Sequence, residues 1–116
     1  MITLPIDITI EKRGLTFNIR PEMAGDMMSA IGEARREGFD SLENTSAINF
    51  VLSIAFIKRI TSWSGVGSSP NKEADCTDRN KRLLFAQETG LLKEIMDEVE
   101  RIEEDDKKKL KTTQDG

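Results

Sequence analysis

Residues 45–61, TSAINFVLSIAFIKRIT, form the most apolar stretch of the chain and decide its fold. Apolar side chains recur there at spacings of three and four, which predicts an α-helix that begins near Thr45 and ends near Thr61. Because this helix is apolar around most of its circumference, we expect neighbouring elements to cover it on more than one side. The residues expected to be buried are Val51, Leu52, Ala55, Phe56 and Ile60.

Two segments near the N-terminus alternate between apolar and polar residues, which is the pattern of β-strands. The first is 2–10, with Ile2, Leu4, Ile6, Ile8 and Ile10 on one face, and the second is 15–20. Lys12, Arg13 and Gly14 separate them, and Gly14 suits the positive φ of a tight turn. The sequence therefore predicts a β-hairpin over residues 1–20.

Three further helices are predicted on either side of the central one. One runs from Pro21 to Glu37, with Gly38 placed to end it. A short helix follows a cap at Asp75 or Thr77 and ends near Gln87, and residues 62–75 before it are expected to form a loop. The last helix has a heptad seam, made by Leu92, Ile95, Met96, Val99 and Ile102.

The length of 116 residues allows one domain. We expect an α+β fold that is mostly α, with the N-terminal hairpin followed by about four helices in a small single-core bundle. The domain is predicted to cover residues 1–110, with the hairpin in 1–20 and the helical part in 21–110. Residues 111–116 are predicted to be a disordered tail, because the sequence there is polar.

The composition disfavours several classes of function. The chain contains no His, the commonest general base and metal ligand, and Cys76 is its single cysteine. We therefore expect no catalytic residues, no metal and no cofactor, and the carboxylates after Met96 are interpreted as a solvated helix end. The net charge of -4 disfavours nucleic acid and membranes as partners. One unpaired cysteine and no signal-like segment indicate a reducing cytoplasm.

The order of elements from Ile57 to Val99 resembles that of the tail assembly chaperones of long-tailed bacteriophages and prophages. An apolar helix leads to Trp63 and Gly65-Val66, which form a Trp-x-Gly-Val signature. A polar loop, a capped helix start at 76–80, a Leu83-Leu84 pair and a final amphipathic helix follow. The chain departs from the family pattern in its Pro70-Asn71 turn and in the acidity of its last helix.

The resemblance implies a non-catalytic helper in the host bacterial cytoplasm. It would bind the phage tape measure protein until tail tube protein polymerises around it, and it would self-associate along that client as a homo-oligomer. The candidate protein-interaction residues are Met23, Met27, Met28 and Ile31, any exposed stripe of Phe50, Ile54 and Ile57, and Trp63 with Val66. The alternatives are a structural adaptor at the phage head-tail joint or tail end, and a small regulatory or nucleic-acid-binding protein.

Overall fold

The computed structural model describes residues 6–39 and 45–115, with side chains as far as residue 108. The elements are β1 (Ile8–Lys12), β2 (Leu15–Ile19), α1 (Ala24–Arg36), α2 (Thr45–Ile57), β3 (Ile60–Ser64), β4 (Gly67–Ser69), β5 (Lys72–Glu73), α3 (Asp78–Gln87) and α4 (Leu91–Asp115). The predicted α+β fold, with an N-terminal hairpin and four helices, is confirmed.

The hairpin of β1 and β2 forms as predicted, but its first strand is shorter. Arg13 and Gly14 both have positive φ, 53° and 76°, which is the geometry of a type I′ turn. Ile10 pairs with Phe17, and both side chains are buried in the core. Ile6 precedes the strand and is 74% exposed, so its predicted place in the first strand was wrong. The predicted strand positions from Ile2 to Pro5 lie outside the described residues.

A third strand replaces the predicted end of the central helix. Helix α2 ends at Ile57, and β3 adds to the hairpin antiparallel to β2, in the order β1-β2-β3. The expected helical position of Ile60 was therefore wrong, although its burial is confirmed at 1% exposure. The backbone N–H of Arg20 donates to the carbonyl of Arg59 at 2.8 Å, which extends the strand pairing toward α2. Pairing with a distant strand overrides the local helical pattern here.

The predicted loop at 62–75 was also wrong in part, because it contains most of β3 and the small β4-β5 hairpin. The indole Nε1 of Trp63 donates to the carbonyl of Ala74 at 2.8 Å. The backbone N–H of Ala74 in turn donates to the carbonyl of Val66. These bonds hold the small hairpin against the end of the three-stranded sheet.

Most of the buried apolar side chains among the described residues fall into two clusters, and α2 contributes to both. The first lies between the sheet and α4 and contains Ile10, Phe17, Ile19, Phe56, Ile60, Trp63, Leu91, Ile95 and Val99. The second lies between α1 and α2 and contains Ala30, Ala34, Val51, Ile54 and Ala55. The heptad seam of α4 thus packs on one face of the sheet. The other face carries a polar row, with Asn18 bonded to Thr9 and Ser62.

The helix ends agree with the sequence prediction at some positions and differ from it at others. Gly38 has a φ of 98° after α1, as expected, but the helix begins at Ala24, so Pro21 lies outside it. Helix α4 includes residues 111–115, where the sequence predicted a disordered tail.

Thr77 caps α3, since its side chain accepts a hydrogen bond from the backbone N–H of Asn80 at 3.2 Å. We expect Thr77→Ala to lower the free energy of unfolding by about 1 kcal/mol, because a helix N–H loses its partner. Urea denaturation followed by circular dichroism measures the change. Thr77→Ser keeps the hydroxyl and should retain most of the stability, and an equal loss in both variants would contradict the capping role.

Candidate functional site

An open groove of about 490 Å³ lies between α2 and α4, with the start of α1 beside it. Its apolar lining is made by Met27, Leu52, Ala55, Phe56, Met96 and Val99. Its charged lining comprises five carboxylates and two cations. The carboxylates are Glu22, Asp97, Glu100, Glu103 and Glu104, and the cations are Arg59 and Lys107. The volume falls in the range of ordinary ligand sites.

The groove exists because α2 has more apolar surface than its neighbours cover. Val51, Ile54 and Ala55 pack on α1, while Phe56 packs into the sheet cluster. Leu52 lies between these two directions and is 43% exposed, so its predicted burial was wrong. Ile48, one turn earlier on the same helix, is exposed to the same extent. An apolar strip on α2 is therefore left uncovered by the described residues.

Arg59 fixes the wall of the groove. Its side chain is 9% exposed, and its guanidinium carbon lies 5.3 Å from the centre of the Phe56 ring. Its Nε donates to the carbonyl of Arg20 at 3.0 Å, and its Nη2 donates to Glu103 at 3.2 Å. The charge of Arg59 is thus already engaged by Glu103.

A second ion pair holds the start of α1 beside the groove. Arg20 donates to both carboxylate oxygens of Asp26, at 2.6 and 2.9 Å, and these bonds lower the pKa of Asp26 below its usual value. The backbone N–H of Met23 also donates to Asp26, at 2.9 Å, which lowers that pKa further. Asp26 is buried and joins the end of the hairpin to the first turn of α1.

The carboxylates on the α4 side leave the groove acidic. Asp97 pairs with Lys93 at 2.8 Å, but both side chains are well exposed, so this pair is weak. Within the described part of the chain, Glu22, Glu100 and Glu104 make no ion pair. No group of three or more His, Cys, Asp or Glu side chains among the described residues is placed to hold a metal ion.

The structure brings only one of the residues predicted for protein interaction into the groove lining, namely Met27. Met23 precedes α1 and is 60% exposed, Met28 on α1 is 72% exposed, and Ile31 packs partly against the second cluster. Neither Met23 nor Met28 lines the groove.

The three candidate residues Phe50, Ile54 and Ile57 do not form an exposed stripe on α2. Ile54 and Ile57 are buried, and Phe50 is half-buried against Phe39, with ring centroids 4.9 Å apart. Trp63 is also buried, and Val66 packs against the sheet cluster. Phe50 and Ile54 therefore serve the packing of α1 against α2, and Trp63 and Val66 serve the packing around the sheet.

Leu52, Phe56, Met96 and the three glutamates of α4 in the lining, Glu100, Glu103 and Glu104, were not predicted from the sequence as site residues. A signal was present: Met96, Glu100 and Glu104 recur every four residues and so lie along one face of a helix. Which face of α2 would remain open could not be predicted from the same pattern, because the helix is apolar around most of its circumference.

In the part of the chain described, none of the helices has the length and apolarity needed to cross a membrane. Comparison of the chain with protein families, curated proteins and solved structures finds no match. The geometry of the groove is therefore the basis of the functional argument.

Proposed function

We propose that this protein is a non-catalytic chaperone that holds a helix of a client protein in the groove between α2 and α4. The observation that carries the proposal is the uncovered apolar strip, where Leu52 remains 43% exposed above the buried ring of Phe56. A helix laid into an apolar groove is a common mode of protein recognition. The groove is open and lies between two long helices, which suits an elongated occupant.

The proposed client is the tape measure protein of a long-tailed phage, in agreement with the resemblance at Trp63, Gly65-Val66 and 76–80. The proposed site of action is the host bacterial cytoplasm, where tail tube protein would replace the chaperone on the client. Met27 and Met96 in the lining support this role, because the flexible methionine side chain adapts to different apolar partners. The absence of His from the sequence agrees with a role that needs no general base.

Replacement of Leu52 by Asp should weaken client binding by about thirtyfold, since it places a charge in the apolar floor of the groove. The test is co-expression with a fragment of the tape measure protein encoded in the same genome, followed by measurement of soluble fragment and of affinity for the purified complex. Leu83→Asp is the matched control, because Leu83 is 57% exposed on α3 and does not line the groove.

We expect the unmodified protein and Leu83→Asp to keep the fragment soluble, and Leu52→Asp to fail. A fragment that stays insoluble with the unmodified protein would contradict the proposal, as would a genome with no tape measure or tail tube gene nearby. Retention of the protein in purified mature particles would instead indicate a structural adaptor.

A further inference from the structure

The α4 side of the groove combines an apolar contact with a row of negative charge. Met96 lines the groove, and Glu100 and Glu104 follow it at four-residue intervals along the same helix. Glu22 adds a carboxylate from the segment before α1. A ligand that contacts the apolar lining of the groove therefore lies next to these carboxylates.

The two cations in the lining offset the negative charge of its carboxylates only in part. Arg59 is held by Glu103 and by the carbonyl of Arg20, so it is not available to an occupant. Lys107 is the other cation of the lining. Low-dielectric walls strengthen the field of unpaired charges in a cleft, so the groove favours a positively charged partner.

We infer that the client segment is a basic amphipathic helix, with apolar residues at i, i+3/i+4 and i+7 and with Lys or Arg beside that stripe. The apolar residues would contact Leu52, Phe56 and Met96, and the basic ones would contact Glu100 and Glu104. This inference rests on the proposed client-binding role of the groove and specifies the chemistry of the client.

An extended partner fits better than a small cation, because the apolar lining continues past the groove. Ile48 lies one turn before Leu52 on α2 and is 43% exposed. It prolongs the apolar contact surface by a further helical turn along α2.

The test uses two synthetic peptides of about 18 residues, or five helical turns, with the same leucine stripe. One has Lys beside the stripe and the other has Glu. Calorimetry with the full chain should show the Lys peptide binding at least about tenfold more tightly at low salt. The preference should shrink when the salt is raised from about 0.05 to 0.5 M, because salt screens exposed charges. Equal binding of the two peptides would overturn the inference.

The charge-reversed variant Glu100→Lys/Glu104→Lys should lose that preference for the Lys peptide, a loss of about tenfold. Glu11→Lys/Asp106→Lys is the matched control, because it makes the same change in net charge at exposed positions outside the groove. An equal loss in the control would show a general charge effect and overturn the inference.

The outcomes separate this inference from the proposed function. A tape measure fragment that needs Leu52 but binds Glu100→Lys/Glu104→Lys unchanged would sustain the function and overturn the basic-helix inference. Groove-dependent preference for the Lys peptide, with no binding of the tape measure fragment, would support the basic helix and contradict the phage role. Self-association abolished by the glutamate reversal would make a second copy the occupant and overturn the inference.

Discussion

Phe56→Ala is expected to lower the free energy of unfolding by about 3 to 5 kcal/mol, a large share of the stability of a small domain. Phe56 is 6% exposed and belongs to the cluster between the sheet and α4. Removal of the ring leaves a cavity beside Ile60 and Val99, and it also removes the aromatic partner of Arg59. Chemical denaturation followed by circular dichroism measures the loss.

Leu52→Ala is the matched control, because Leu52 lies one turn earlier on the same helix but is 43% exposed. It should cost less than about 1 kcal/mol, since much of its side chain is already in contact with water. A loss below about 1 kcal/mol for Phe56→Ala, or equal losses in both variants, would contradict the assignment of Phe56 to the core.

Features governed by local chemistry could be predicted from the sequence. Gly14 in the hairpin turn, Gly38 after α1 and Thr77 before α3 each stand where the backbone needs that residue type. The burial of Ile95 and Val99 on α4 could also be predicted, because residues at heptad spacing lie on one face of a helix.

Features decided by contacts between distant segments could not be predicted in the same way. The apolar run through Ile57 and Ile60 fits a longer helix, and only pairing with β2 makes residues 60–64 a strand. The ion pair of Arg20 and Asp26 joins the end of a strand to a helix. Neither the period of a strand nor that of a helix predicts a contact between these two residues.

The candidate site belongs to this second group. Because α2 is apolar around most of its circumference, the sequence predicted partners on several sides, but not that α1 and α4 would leave Leu52 between them uncovered. The polar residues of α4 were interpreted as a solvated helix end, and Glu100 and Glu104 are indeed exposed. The binding role that we propose for them rests on their position at the edge of an apolar groove, which depends on where α4 lies relative to α2.

The position of α1 beside the groove depends on Asp26, whose backbone and side-chain bonds join Met23 to Arg20. Loss of the Asp26 charge would leave the half-buried guanidinium of Arg20 without its partner. It would therefore also loosen the segment that presents Glu22 and Met27 to an occupant. Asp97→Asn supplies a control for such a change, because the Asp97–Lys93 pair is exposed and should contribute little to stability.

Asp26→Asn should lower the free energy of unfolding by about 2 to 3 kcal/mol at neutral pH. Because the folded-state pKa of Asp26 is lowered, its contribution is complete above the unfolded pKa of about 4 and is lost as the pH falls through the folded pKa. The stability difference between the unmodified protein and Asp26→Asn should therefore narrow below about pH 4. Urea denaturation at several pH values from about pH 7 to pH 2 measures this stability difference. A difference that stays constant over that range would show that the charge of Asp26 is not the cause of the lost stability.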